Sequence, residues 1–389
     1  MRDPGPLLIL GTGLAGYTLA REFRKRDRAR SLCLVTRDDG CFYSKPMLSN
    51  AIAQGRTPEA LCQATAGKQA ETLDARILTG VEAVRIDRER RQVLVDGEWL
   101  TYGDLVLAVG AEPIRLEIEG DGASEVLTVN DRLDYARFRE RLRPGMALTL
   151  IGAGLIGCEF ADDLLAGGWR SRVVDIGSHP LGRLVPPETG AALAEALAEK
   201  GVSWHFEDAV VRIDQEGDRL GIRTRSGAEW PTDLVLSAVG LRPRTGLAAE
   251  AGLATGHGIR VDRFLRSSDP HVWALGDCAE VEGLVLPFVM PLMQAARALA
   301  ATLAGTPTPV RYPAMPVVVK TPDYPVVVCP PRNGWVCDWR IHTCEGRDIE
   351  AHCLDAEGRL LGFALGGGAT ARKQVLAKSV PDWLPSPAE

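Results

Sequence analysis

The sequence predicts an α/β protein: two Rossmann-like dinucleotide-binding units followed by a small C-terminal α+β domain. Three observations predict it. "LLILGTGLAG" (residues 7–16) and "LTLIGAGLIG" (148–157) are two copies of one phrase, an apolar run that breaks into spaced glycines. Each copy is followed by a helical pattern and a second apolar run, "LCLVT" and "RVVDI". Each unit then closes on a related stretch, "DLVLAVGAEP" (104–113) and "DLVLSAVGLRPRT" (233–245). A chain of 389 residues, 46% hydrophobic, has room for two or three such domains.

The elements follow in order. In the first loop Gly11 permits a tight turn, Gly13 lets a pyrophosphate approach the backbone, and Gly16 lets helix and strand pack closely. Thr12, Leu14 and Ala15 complete the loop, and the helix start offers unpaired N–H groups and a partial positive charge to the phosphates. The second loop repeats this with Gly152, Gly154 and Gly157, with Leu155 and Ile156 at its helix start. Two such loops in matching strand–helix settings imply two dinucleotides.

The strand ends differ between the units. Asp175, roughly 20 residues past the second set of glycines, suits a ribose 2′-hydroxyl and would repel an extra phosphate, which favours NADH. Arg170 and Arg172 nearby keep NADPH open. The first unit ends "VTRDD", where Thr36, Arg37 and Asp38 all stand in reach of the other ribose. "HVWALGDCAE" is a strand leading to Gly276-Asp277, where a carboxylate can hold a sugar-like chain of hydroxyls.

Composition removes several classes. A net charge of −6 argues against general nucleic-acid binding. "MRDPGP" lacks a secretory layout, and the apolar stretch "LMQAARALAATLAG" is interrupted by Arg297 and too short to span a bilayer. A cytoplasmic protein without membrane contact is expected. The nine cysteines form no C-x-x-C and no zinc spacing, so they read as reduced thiols, with no metal.

"ALGDCAEV" resembles the second FAD fingerprint of flavoproteins with two dinucleotide domains, and the order loop, connector, loop, connector, Asp motif resembles their whole layout. The resemblance implies a glutathione-reductase-like fold. The FAD domain would be discontinuous, over 1–111 and 244–312. The NADH domain would occupy 112–243 and the C-terminal domain 313–389. Disulfide reductases of this fold keep a redox cysteine pair after the first unit. Here that region reads "DDGCFYSKPMLSN": Cys41 has no partner within a few residues, and Cys62 is too distant to suggest a motif. A sulfur relay is therefore not expected, nor single-cysteine NADH oxidase chemistry.

"YSKPMLS" resembles the same segment in reductases that serve rubredoxin, ferredoxin and putidaredoxin. With "GTGLAGY", "GAGLIGCEFADDL", "VMPLM" and "VKTP", the chain is most similar to the bacterial rubredoxin–NAD reductases. The resemblance implies that Lys45, Glu159 and Lys320 lie against the isoalloxazine ring, that Pro46 also binds FAD, and that Glu159 is the counter-charge to Lys45 and close to the start of its helix. It implies that Asp277 binds the ribityl chain and that the segment at Glu82 holds the adenine. Backbone N–H groups from Val289 to Leu292 would donate to the flavin pyrimidine edge, and Gly240 in the second connector would face NADH. The implied activity passes a hydride from NADH to FAD, then single electrons to rubredoxin. Ferredoxin, putidaredoxin or flavorubredoxin are alternative acceptors, and a low-turnover NADH-sensing flavoprotein is a further reading. An acidic carrier calls for a basic rim, for which Arg297, Lys320, Arg332, Arg340, Lys373 and Lys378 are candidates. With no catalytic histidine to share between subunits, a monomer is expected.

Overall fold

The two glycine phrases seed two sheets of the same plan. In a computed structural model describing residues 5–386, the strand Leu7–Leu10 lies at the centre of a five-stranded parallel sheet. Leu32–Val35 and Arg76–Leu78 lie to one side; Asp104–Leu107 and Val272–Ala274 lie to the other. Ala147–Ile151 is central to the second parallel sheet, flanked by Arg170–Val174 and Ser203–His205 and by Leu234–Ser237 and Leu127–Thr128. The opening residues 1–4, part of the "MRDPGP" read above, lie outside the described residues.

Leu7–Leu10 is apolar throughout, and Ala147–Ile151 is apolar but for buried Thr149, whose hydroxyl accepts from Trp230 Nε1 at 3.0 Å, because helices and antiparallel meanders cover both faces. Each fully buried Leu, Ile or Val contributes about 1.5–3 kcal/mol by leaving water. The three-stranded meanders cover Ala83–Thr101 and Val210–Thr232. The two connectors do not merely cross: Ala111–Pro113 and Leu241–Pro243 pair as an antiparallel ribbon, so the two passages between the units are tied to each other.

The C-terminal sheet is antiparallel, in the order Val317–Val319, Val326–Cys329, Leu360–Gly366, Asp348–Leu354, Asp338–Glu345. Its Val326–Cys329 strand explains the run "VVVC". Val327 and Cys329 pack into the core of the first unit, while Val326 and Val328 pack into that of the second. A strand whose side chains alternate between two cores has no polar face to show. Asp348–Leu354 and Leu360–Gly366 pair as a hairpin that turns at Glu357-Gly358. After the sheet come a 3-10 turn at Gly367–Arg372 and a short helix at Lys373–Ala377.

The cysteines are not all reduced thiols. Cys41 is bonded to Cys62, and Cys337 to Cys353. The first pair forms because the chain returns: Phe42 N–H donates to Ala64 O and Gln63 N–H to Phe42 O, which brings Cys62 beside Cys41 despite a separation of 21 residues. Cys33, Cys158, Cys278, Cys329 and Cys344 are thiols. Among the described residues no His/Cys/Asp/Glu cluster suits a metal, and no helix is long and apolar enough to cross a membrane.

Candidate active site

The loops have matching geometry. Gly11 and Gly152 have φ of +112° and +105°, a region L side chains rarely enter, and a Cβ on either would press on the backbone of Ala108 or Ala238. A Cβ on Gly16 or Gly157 would collide with the carbonyl of Gly11 or Gly152. The middle glycines are the opposite case. Nothing lies within 4 Å of a Cβ built on Gly13 or Gly154. Each caps the N-terminus of the following helix, Leu14–Arg24 or Leu155–Ala166, without a side-chain hydrogen bond. Open space against uncapped N–H groups is the cradle a pyrophosphate requires. The residues present therefore fit two dinucleotides.

The strand ends close each cradle. Asp175 accepts the N–H of Ala153 and of Gly177, both at 2.6 Å, so its carboxylate holds the second loop in shape. In the first unit Asp38 Oδ1 is taken up locally by Thr36 Oγ1 at 2.7 Å and Gly40 N–H at 2.9 Å, with Thr12 Oγ1 at 3.4 Å. Arg37 stays exposed. Val81 N–H donates to Thr36 O, placing exposed Glu82 beside that strand end.

The Asp motif meets the first loop. A Cβ on Gly276 would press on Ala15, with Leu292 at 3.8 Å, so Asp277 stands between the two helix starts. The helix Val289–Leu303 starts with an uncapped turn. The expected row of donors is shorter than the sequence suggested: Pro291 has no N–H and Leu292 N–H reaches Phe288 O at 3.4 Å, which leaves Val289 and Met290. Gly240 forms a turn beside Ile114, with φ +118°.

The charged residues pair differently from expectation. Glu159 is not the partner of Lys45. It is fully buried, and it accepts the Nζ and the backbone N–H of Lys320, the latter at 2.9 Å, and Ser49 Oγ at 2.5 Å. The reason is geometric. The helix begins at Leu155, so Glu159 lies in its second turn, facing the Lys45–Asn50 turn and the strand end at Lys320. Lys320 is thereby drawn inward and does not belong to a docking rim; Arg297, Arg340 and Lys378 are exposed. Lys45 donates to Asn130 Oδ1 at 2.8 Å and stands 3.8 Å from Asp277. Burial lowers the Lys45 pKa, and Asp277 opposes that shift.

Two acids of the same helix went unnoticed in the sequence. Asp163 accepts the N–H groups of Ile52 and Ala53, at 3.1 and 2.7 Å, and Asp162 accepts that of Asp323 at 3.3 Å. Burial lifts both carboxyl pKa values, that of Asp162 to about 6. With Glu159 they occupy positions i, i+3 and i+4, a single face. One face of the helix after the second loop thus fastens the "YSKPMLSN" turn of the first unit and the start of the C-terminal sheet.

Comparison with known proteins gives this arrangement its place. Residues 5–300 match the family described as "Pyridine nucleotide-disulphide oxidoreductase", and residues 309–380 match "Rubredoxin binding C-terminal domain". The chain is 45% identical to the rubredoxin-NAD(+) reductase of Alcanivorax borkumensis, covering 98% of this chain and 100% of that one. It is 41% identical to the rubredoxin-NAD(+) reductase of Acinetobacter baylyi, covering 98% and 99%. A ferredoxin reductase structure from Rhodopseudomonas palustris superposes with a TM-score of 0.87 at 30% identity, over 97% of this chain and 95% of that one. Such reductases use a flavin and NAD(H), for which the two cradles provide. The chain belongs to the pyridine nucleotide-disulphide oxidoreductase family, alongside the rubredoxin-NAD(+) reductases.

Proposed function

We propose that the chain oxidises NADH and delivers the electrons singly to rubredoxin, with FAD in the first cradle and NADH in the second. FAD occupies the domain built from 1–111 and 244–312, NADH that of 112–243, and the acceptor docks on 313–389. One observation carries this reading: at Glu159 the helix of the NADH cradle meets Ser49 of the FAD unit and Lys320 of the rubredoxin-binding region. Donor, carrier and acceptor sites therefore share one buried contact.

Bound flavin supplies the conversion between two-electron hydride chemistry and one-electron transfer. The chain's residues supply placement and charge. The loop at Gly13 and Asp277 hold the first dinucleotide, with Thr36 at the ribose, Pro46 beside the ring and the segment at Glu82 at the adenine. Gly154, Leu155, Ile156 and Asp175 hold the second, with Gly240 at its nicotinamide end. The ammonium of Lys45 and the helix start at Val289 favour negative charge gathering on the ring, each on the order of 1 kcal/mol or more in a partly buried site. Lys320, neutralised by Glu159, fixes the wall rather than adding net charge. The working unit is a cytoplasmic monomer.

The test is anaerobic mixing of the FAD-loaded chain with NADH and then with oxidised rubredoxin. The reading expects loss of the visible flavin band with NADH and its recovery with rubredoxin, with little oxygen consumption in air. Reduction by NADH without transfer to rubredoxin would rule out this acceptor.

A further inference from the structure

An ammonium has three N–H donors and swings on a flexible stem, so its field reaches a chosen point only if its neighbours fix it. Around Lys45 the nearest partner is Asn130 Oδ1, at 2.8 Å. Asn130 is buried and held at both ends. Its Nδ2 donates to Ala111 O at 3.0 Å, which sets the amide so that Oδ1 faces Lys45. Its backbone N–H donates to Asp134 Oδ2 at 3.0 Å, while the Asp134 N–H donates to Asp131 Oδ1 at 2.8 Å in the cap of the Arg132–Arg141 helix. Lys45 comes from the first unit, whereas Asn130 lies at the entry to a helix of the second and is tied to the connector strand Ala111–Pro113.

We propose that Asn130 is the positioning residue for Lys45, orienting the ammonium toward the flavin with an acceptor that carries no charge of its own. A carboxylate at this distance would form an ion pair and cancel most of the field of Lys45 at the ring. An amide fixes direction and adds no second carboxylate to Asp277, which already faces the ammonium at 3.8 Å. Other charges face the ammonium: Asp277 from the Asp motif at 3.8 Å, Arg244 from the second connector, and Asp131 and Asp134 from the helix entry. None makes a hydrogen bond with it. Because Asn130 is anchored in the second unit, the position of the charge follows the fit between the two units.

This inference rests on Lys45 facing the flavin, and the experiment separates the two. Asn130→Asp, Asn130→Leu and Lys45→Met are compared in the FAD-loaded protein by flavin midpoint potential, kcat and KM for NADH, and the pH dependence of Lys45 acetylation followed by mass spectrometry. Asn130→Asp should move the potential in the same direction as Lys45→Met and raise the pH at which Lys45 becomes reactive by about one unit or more. Asn130→Leu should lower that pH and slow hydride uptake about tenfold with KM for NADH little changed. Asn130→Asp is nearly isosteric and decides the matter if the leucine variant does not fold. A potential moved by Lys45→Met but by neither Asn130 variant, with labelling unchanged, overturns the role of Asn130 alone. A potential unmoved by Lys45→Met overturns the flavin-facing reading and this inference with it.

Discussion

Replacing Glu159 with glutamine keeps the volume and removes the one negative charge that holds Lys320. Glu159 is fully buried and accepts three hydrogen bonds, from Ser49 Oγ and from the backbone and side chain of Lys320. Removing one partner of a buried pair costs about 3–5 kcal/mol. The Lys320 side chain is 25% exposed and has a route to water, and glutamine still accepts one bond, so the lower end applies, about 3 kcal/mol. With an unfolding entropy of about 2.1 cal/mol/K per residue over 389 residues, that lowers Tm by about 4 °C if the chain melts as one unit. Calorimetry of the flavin-loaded protein measures it. The decisive comparison adds Lys320→Met: the double variant should lose less than the sum of the single losses by about 2 kcal/mol. Losses that add to within about 0.5 kcal/mol would refute the coupling, and with it the shared contact between donor and acceptor regions.

Other outcomes follow from the same geometry. Gly13→Ala and Gly154→Ala should fold normally, since φ is −66° and −70° and the added methyl meets nothing; flavin content should fall in the first and KM for NADH rise in the second. Gly16→Ala should fail to fold stably, which soluble yield and melting temperature will check. Burial raises the Asp162 pKa from 3.8 to about 6, so the folded state binds that proton more tightly than the unfolded state. Stability should fall as pH rises from about 4 to about 6 and stay lower above, and Asp162→Asn should be more stable than wild type at pH 8, the gap closing by about pH 4. Melting temperatures of both proteins across that range test the sign. Intact mass before and after reduction should reveal two disulfides, and Cys41→Ser should leave the rate of NADH-driven rubredoxin reduction within about twofold.

Much of the fold was legible because glycine has few substitutes where backbones touch. Gly11, Gly16, Gly152 and Gly157 each fill a position that a Cβ would destroy, so both cradles could be read from spacing alone. The buried run Val326–Cys329 was legible as a strand but not as a strand serving two cores, since apolarity does not say which core receives which side chain. Pairing of charges was the least legible. Lys45 and Glu159 looked like partners because both belonged near the flavin, yet the register of a helix starting at Leu155 turned Glu159 toward Lys320. Asn130 carried no signal at all: a lone Asn before a helix reads as an entry to its cap. The acids Glu159, Asp162 and Asp163 did carry one, a helical spacing in an otherwise apolar helix, where buried charge requires partners. Cys41 and Cys62 were missed because their pairing depends on a loop returning across 21 residues.

In the proposed reaction electrons pass from NADH to flavin to rubredoxin with no sulfur in between, although a disulfide lies four residues from Lys45. The most direct measurement is a single anaerobic turnover of the variant carrying both Cys41→Ser and Cys62→Ser, loaded with FAD and followed at the flavin and rubredoxin bands. One NADH should reduce two rubredoxins at close to the wild-type rate. A variant whose flavin is reduced by NADH but whose electrons no longer reach rubredoxin would contradict it.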